Sequence, residues 1–304
     1  MPRMVRYERF GGPDVLELVE VEAPSPGPGQ VRVSVQAAGL NPVDAKIFEG
    51  TPAAERFGAV PPCGVGHDLA GVVDEVGEGV EGFAPGDAVF GGARGRALAD
   101  YALVDVDGIL LHTPEGLAVE QAGALAISGL TASGAVAEVA PLPGETVLVS
   151  AAAGGVGVLA AQLAVRSGAT VLGTCGERND DFLRSIGVTP VRYGHGLRDR
   201  VRELAPSGVD AVLDFHGMDT IILALELDVP RINSVATREF ADRGVTSAGR
   251  TEASLDDLAR VAELIASGEL VLPIEAVYPL QRAREAYERL ATGHLRGKIV
   301  LVTD

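Results

Sequence analysis

The chain has 304 residues, with 42 acidic against 25 basic side chains and a formal net charge of −17. That length allows two domains of ordinary size, and so acidic a field argues against nucleic acid or an anionic membrane as partner, since both need a basic patch. Apolar residues at 47% and charged ones at 22% allow a packed core and exclude a disordered tail. No apolar run reaches the ~18 residues of a membrane span, and the opening MPRMVRYERFGGPD carries no signal-peptide apolar block. Cys63 and Cys175, the two cysteines, are too few for a disulfide scaffold or a four-cysteine zinc lobe. A cytoplasmic protein is expected.

In chain order, the first third is cut into short apolar runs by Gly and Pro. GQVRVSVQAAG (29–39) alternates apolar and polar residues, the period of a half-buried strand. DLAGVVDEVGEGVEGFAPGDAVFG (68–91) reads as successive strands with glycine turns. From about Val119 the texture changes. Residues 119–139 predict a continuous alanine-rich helix, followed by a strand VLVS (147–150), a glycine loop and a helix VLAAQLAVRSG (158–168). TVLGTC (170–175) is a strand, DDFLRSIG a helix ending at Gly187, and AVLDF (211–215) and RINSVA (231–236) are further strands with helical segments between. Strands alternating with helices of about ten residues predict parallel βαβ units. After a helix over 254–268 the chain reads strand, helix (281–291) and final strand KIVLV (298–302).

The sharpest local signal is VLVSAAAGGVGVLAAQLA (147–164), in which an apolar strand runs into Ala152-x-Gly154-x-x-Gly157 and a helix opens at once. This is the dinucleotide fingerprint with alanine in the first glycine place: the glycines admit a pyrophosphate to the backbone, and the helix N-terminus offers N–H groups and a positive dipole end. Ala153, Gly154, Gly155, Val156 and Gly157 are the candidate contacts.

AAGLNPVDAKI (37–47), GHDLAGVVDEVGEGVEGFAPGDAVFG (66–91), GLTAS (129–133), the fingerprint and GHLRGKIVL (293–301) resemble, in the same order, the motifs of medium-chain dehydrogenases/reductases, and within them the zinc-independent quinone oxidoreductases. The resemblance covers essentially the whole chain. It implies an α/β protein: a GroES-like, β-rich substrate domain over residues 1–118, a Rossmann domain with a doubly wound parallel sheet over 119–268, and a return to the substrate domain over 269–304. It also implies a homodimer.

The zinc-dependent branch needs an early cysteine where this chain has Asn41-Pro42-Val43-Asp44. His67 is kept but is followed by Asp68, and no C-x-x-C or H-x-x-H partner appears. Catalytic zinc takes three protein ligands, so no metal is expected, and His67 reads as a packed or cleft-lining histidine.

The strand TVLGTC ends at Cys175-Gly176 without the acid that would hold the ribose hydroxyls of NAD. In similar NADP-dependent reductases the following turn carries a serine and a basic residue. Here those places are Gly176 and Asn179, with Arg178 just before, while Glu177 stands about twenty residues past the fingerprint, where an NAD-binding acid would lie. The neutral strand tip favours NADP(H). Tyr193 resembles the tyrosine stacked near the adenosine end, or is an ordinary exposed tyrosine. Phe215, His216, Ser234, Val235 and Ala236 end parallel strands whose carboxyl ends face a ligand crevice, and so are candidates for the nicotinamide pocket.

For the reacting groups, Asn41 matches the family's NPxD asparagine near the nicotinamide ribose and substrate, or is a turn residue before Pro42 with Asp44 as a helix cap. Thr131 matches the GLTA threonine beside the nicotinamide, or is a helix-interior threonine bonded to the preceding turn. Relatives carry tyrosines where this chain has Lys46 and Pro52. Lys46 is therefore the candidate proton donor, or a solvated lysine. The leading expectation is an NADPH-dependent reductase of a small quinone or α,β-unsaturated carbonyl compound. The alternatives are a biosynthetic enoyl reductase acting on a polyketide-like intermediate and a nucleotide-binding protein without redox turnover.

Overall fold

Alternating burial in Gln30–Gly39 makes this the longest strand: Val31, Val33 and Val35 all point inward. Around it a computed structural model describes residues 1–303 and resolves the chain into two units. The first holds Met1–Ile127, Ile274–Gly293 and the segment from Lys298; the second holds Ser128–Pro273 and His294–Gly297.

The first unit contains β1 (Arg3–Tyr7), β2 (Glu17–Glu20), β3 (Gln30–Gly39), α1 (Pro42–Phe48), α2 (Pro52–Arg56), β4 (Cys63–Gly64), β5 (Asp68–Val76), β6 (Ala88–Gly92), β7 (Tyr101–Asp105), β8 (Leu110–His112) and α3 (Val119–Ala122). The second contains α4 (Ala126–Val139) from Ser128 onward, β9 (Thr146–Val149), α5 (Gly155–Arg166), β10 (Thr170–Cys175), α6 (Asp180–Ser185), β11 (Thr189–Arg192), α7 (Leu197–Leu204), β12 (Ala211–Asp214), α8 (Met218–Glu226), β13 (Arg231–Ser234) and α9 (Leu255–Ala266). The chain then supplies β14 (Ile274–Pro279), α10 (Ala283–Ala291) and β15 (Lys298–Val302) to the first unit. Among the described residues, no helix is long and apolar enough to cross a membrane.

In the first unit, β14-β15-β3-β5-β6-β8 run side by side with β7 also on β3, while β2-β1-β4 form a smaller sheet. The register Val300↔Gly39 sets β15 antiparallel to β3. Lys298, at the start of β15, is thereby delivered beside the residues that follow β3. Gly39 is needed here, because a Cβ would lie 2.5 Å from the Ala124 backbone. Its N–H bonds the Gly123 carbonyl at 2.7 Å, which draws that carbonyl out of a helical ladder. The helix expected to run unbroken over 119–139 is accordingly two helices, α3 and α4.

The second unit is a five-stranded parallel sheet, β11-β10-β9-β12-β13, built from the βαβ alternation visible in the sequence. Chain order reverses direction between β9 and β12, the switch point at which doubly wound sheets open a ligand crevice beyond the strand carboxyl ends. Leu148, Leu172, Val212, Ile221 and Ile232 lie in the core on one face.

Candidate functional site

At the carboxyl end of β9 the chain turns into α5 with Gly154 as N-cap (φ −77°, ψ 174°). A Cβ at Gly157 would sit 2.2 Å from the Ala151 carbonyl oxygen, so only glycine lets the first turn of α5 close on the strand end. Thr174 holds the loop from β10: the Ala151 N–H donates to its Oγ1 and the Ala152 N–H to its carbonyl, each at 3.1 Å. The open N–H groups of α5 therefore stand at a fixed, uncharged corner, which fits a pyrophosphate. Of the five candidates on this loop, Ala153 and Gly154 also meet a segment far along the chain. The Gly297 N–H donates to the Ala153 carbonyl at 2.7 Å, and Gly154 bridges Gly297 in parallel.

That segment, His294–Gly297, lies over the turn after β10, where the sequence expectation puts the adenosine end. Tyr193 stacks on His294 with ring centroids 5.9 Å apart at 20°, and its hydroxyl lies 2.9 Å from His294 Nδ1. Arg178 donates to the His294 carbonyl. Arg296 donates from Nε to Asn179 Oδ1 (2.9 Å) and from its guanidinium to the Arg178 carbonyl (2.6 Å), and lies 5.0 Å from the centre of the Phe182 ring. Gly176 leaves room for Tyr193, whose hydroxyl would be 3.3 Å from a Cβ there. Cys175, Gly176, Arg178, Asn179 and Tyr193 are thus brought together. His294 and Arg296 join them unpredicted; the terminal GHLRGKIVL motif contained both. Burial, then the Asp180 carboxylate that accepts from Sγ at 3.5 Å, push the Cys175 thiol up to about 12.

The opposite end of the crevice is organised by a residue that sequence reasoning passed over. Asp214, fully buried at the end of β12, accepts Ser150 Oγ (2.7 Å), Ser234 Oγ (2.7 Å) and the N–H groups of His216 and Gly217 (3.1 Å each). The Phe215 N–H donates to Ser150 Oγ at 2.8 Å, the Val235 N–H to the Asp214 carbonyl at 3.1 Å and the Ala236 N–H to Ser234 Oγ at 3.2 Å. Asp214 therefore ties the five candidates at the ends of β12 and β13 together: His216 and Ser234 through its carboxylate, Val235 through its backbone carbonyl, and Phe215 and Ala236 through the serine hydroxyls that the carboxylate holds. A buried aspartate inside the apolar run AVLDF was the available signal. Thr131 is half-buried on α4, its methyl 3.5 Å from where a Cβ of Gly249 would be.

The first unit holds a separate buried polar cluster. Asn41 caps α1, its N–H donating to Asp44 Oδ2 at 2.9 Å. Its amide nitrogen donates to Asp68 Oδ2 (3.0 Å) and its Oδ1 accepts Lys298 Nζ (2.5 Å), which also lies 3.4 Å from Asp68. The Ile127 N–H donates to the other Asp68 oxygen at 2.9 Å. Burial raises the Asp68 carboxyl above its ordinary value, against the opposing pull of Lys298 and the Asn41 amide. His67 Nδ1 lies 2.5 Å from Asp44 Oδ1. Burial and then the nearby Asp44 carboxylate push the Tyr287 phenol well above its usual range, although its hydroxyl makes no well-formed hydrogen bond among the described residues. Lys46, by contrast, is exposed on α1.

Comparisons with known proteins agree with this anatomy. The model of the alcohol dehydrogenase GroES-like domain matches residues 27–150, and that of the zinc-binding dehydrogenase matches 187–301. The chloroplast envelope quinone oxidoreductase homolog of Arabidopsis thaliana is 32% identical over 326 residues, covering 98% of this chain and 97% of the relative. Human quinone oxidoreductase is 31% identical over 328 residues, covering 99% and 97%. The quinone oxidoreductase structure from Coxiella burnetii superposes with a TM-score of 0.90 at 32% identity, covering 100% and 99%. Mycobacterial Rv1454c, solved with NADPH, superposes at 0.86 with 25% identity, covering 99% and 100%. The chain belongs to the medium-chain dehydrogenase/reductase superfamily and is an oxidoreductase of that type. Its similarity to quinone oxidoreductases runs the length of the chain.

One of these models is named for zinc, but the donor set here does not fit that metal. Among the described residues no three His, Cys, Asp or Glu side chains are grouped so that they could hold a metal ion. Asn41 stands where a ligand cysteine is expected, its amide engaged by Asp68 and the Lys298 ammonium. Zinc in a catalytic site needs three protein ligands.

Proposed function

We propose that the protein is an NADPH-dependent reductase of a small quinone or α,β-unsaturated carbonyl compound that works without zinc. The observation that carries the reading is the adenosine end of the second unit. Cys175-Gly176 puts no carboxylate at the β10 tip, while the Arg178 and Arg296 guanidiniums, Tyr193 and His294 surround the turn. Such a cationic, aromatic corner suits a 2′-phosphate, and guanidinium is the side chain best matched to phosphate. Glu177, the acid that would favour NAD, is 3.6 Å from Arg192 and highly exposed. NADPH complexed to the mycobacterial relative supports the same choice.

The cofactor, when bound, would supply a hydride from nicotinamide C4. Gly154, Gly155 and Gly157 would hold its pyrophosphate at the α5 N-terminus, and the β12 and β13 ends aligned by Asp214 would line its nicotinamide. Hydride addition to a conjugated carbon or quinone needs positioning and a hydrogen-bond donor for the developing oxyanion. It does not need the lowered hydroxyl pKa that zinc supplies to an alcohol, and the unfit donor set around Asn41 supports that reading. A homodimer is part of the proposal. It rests on the family resemblance, which implies pairing through the edge of the second unit's sheet.

The reading is tested by oxidation of NADPH and NADH in parallel with a panel of small quinones and enones, before and after chelation. Turnover that prefers NADPH and survives chelation supports it. NADH preference, or loss of activity together with one zinc per chain, would contradict it.

A further inference from the structure

Arg200, on α7 of the second unit, is left without a task by everything above, yet it grips the turn that carries Tyr193. Its Nε and Nη2 donate to the Arg192 carbonyl at 3.0 and 2.7 Å, and its Nη1 donates to the His195 carbonyl at 3.0 Å. Nη2 also reaches the Tyr193 and Gly194 carbonyls at 3.4 Å each. One guanidinium therefore meets the carbonyl of every residue from Arg192 to His195.

Two glycines make this convergence possible. Gly194 and Gly196 have φ of 84° and 77°, a region that strains residues with a Cβ. A Cβ at Gly196 would also stand 3.0 Å from Arg200 Nη1, so the glycine leaves the guanidinium its place. A planar fork with five N–H donors suits so many acceptors at once, whereas an ammonium offers three on a flexible stem. From the other side, the Arg192 guanidinium donates to Asp180 at 2.8 Å. Both chain neighbours of Tyr193 are thus held. What they hold is a ring 48% exposed, with His294 stacked on it and bonded to its hydroxyl. His294 itself has φ 53°, a left-handed conformation that a non-glycine residue keeps only where its surroundings fix it, and Arg178 takes its carbonyl. A half-exposed aromatic ring fixed at its backbone and its hydroxyl is preorganised for a stacked ligand. All of these residues belong to the second unit.

We infer that Arg200 is a positioning residue for the cofactor: acting through Tyr193, it presets the turn against which the adenosine end of a nicotinamide dinucleotide stacks. This rests on the part of the reading above that puts the adenosine end at this corner. Arg200 itself makes no bond to the cofactor in this account, because its donors are spent on the turn. The 2′-phosphate is left to Arg178 and Arg296, so Arg200 serves NADPH and NADH alike. That separates its role from the one given to Arg178. Without the guanidinium, the glycine-bounded turn samples other backbone states, and binding must order it first.

The test uses the full chain, with fluorescence titrations of NADPH and NADH and calorimetric titration of adenosine 2′,5′-bisphosphate. Arg200→Met is expected to weaken all three by about tenfold, the equivalent of ordering one further residue's backbone on binding. The ratio of NADPH to NADH affinity should stay within about twofold of wild type. Arg200→Lys, which keeps the charge and loses the fork, should lose nearly as much. In a Tyr193→Ala chain, Arg200→Met should cost less than about twofold more, because the residue it acts through is gone. In the wild type without ligand, the Arg200 Nε–H should give a resolved, slowly exchanging NMR signal; this readout needs no variant. Affinities of Arg200→Met within about threefold of wild type overturn the assignment, as do losses that multiply in the double variant. So does full affinity in Arg200→Lys, or an Nε–H that exchanges as fast as a solvated arginine. These failures leave the reductase reading standing. A wild type that prefers NADH, with the tenfold loss still present in Arg200→Met, removes the NADPH preference and keeps this role. A wild type that binds neither cofactor removes both.

Discussion

Tyr193 and His294, about a hundred residues apart in the chain, stack with ring centroids 5.9 Å apart and share a 2.9 Å hydrogen bond. The pair fixes a short terminal segment over the turn after β10, and Arg178 and Arg296 tie the same segment down. A charge-assisted hydrogen bond contributes ~1.5–3 kcal/mol, roughly ten- to a hundredfold in affinity. Arg178→Ala is therefore expected to weaken NADPH binding by that factor and leave NADH nearly untouched, in titrations of each cofactor. Equal losses would place Arg178 away from the 2′-phosphate. Arg296→Ala should weaken both cofactors, because Arg296 also holds Asn179 and the Arg178 carbonyl in place.

Asp214 collects four donors in a fully buried site. Asp214→Ala leaves them unpaired at about 1–3 kcal/mol each, with partial relief from relaxation and water. A large drop in urea midpoint is expected, with loss of cofactor binding. Asp214→Asn keeps one acceptor oxygen for the two N–H groups and should lose distinctly less. Similar midpoints for Asp214→Ala and wild type would show that the β12 and β13 ends are held by other means.

Gly157→Ala would place a methyl 2.2 Å from the Ala151 carbonyl oxygen. Overpacking of that kind typically costs ~1–3 kcal/mol, and here the backbone itself must move. Lower stability and at least about tenfold weaker NADPH binding are expected. At Gly154 the corresponding distance is 3.2 Å and the backbone conformation is open to any residue. Gly154→Ala should accordingly change the melting temperature much less than Gly157→Ala. The reverse order would contradict this account of the turn.

Cys175, with its thiol pushed up to about 12 by burial and Asp180, should resist alkylation at neutral pH, since the thiolate is the nucleophile. Half-exposed Cys63 should react first. Mass spectrometry after brief alkylation of the native protein should find one modified thiol, and a second only with denaturant. The shift also links to stability: a thiol that ionises later in the folded state contributes stability that is present below about 9 and lost as pH rises toward about 12. A stability that rose through that window would contradict the assignment.

Much of this architecture is legible in the residues, because periodicity and glycine placement are local. The βαβ alternation of the second unit and the turn around Gly154 and Gly157 each follow from a single stretch of chain. The long helix over 119–139 was misread for a non-local reason: Gly39 on another strand takes the Gly123 carbonyl at 2.7 Å and interrupts it. Likewise His294 and Arg296 act across more than a hundred residues on Tyr193, Arg178 and Asn179, and no window of sequence reports such a meeting. Asp214 and the Asp44–His67 pair were hidden differently. Short polar residues inside apolar segments look alike as turns, caps or buried hubs until their partners are known.

Steady-state oxidation of NADPH with a quinone and an enone, repeated with NADH and after removal of metals, bears most directly on the central claim. The account predicts turnover with at least one acceptor, kcat/KM favouring NADPH by about tenfold or more, and no loss on chelation. A protein that binds NADPH tightly yet passes hydride to none of the acceptors would contradict it and make the non-catalytic, nucleotide-binding reading the better one.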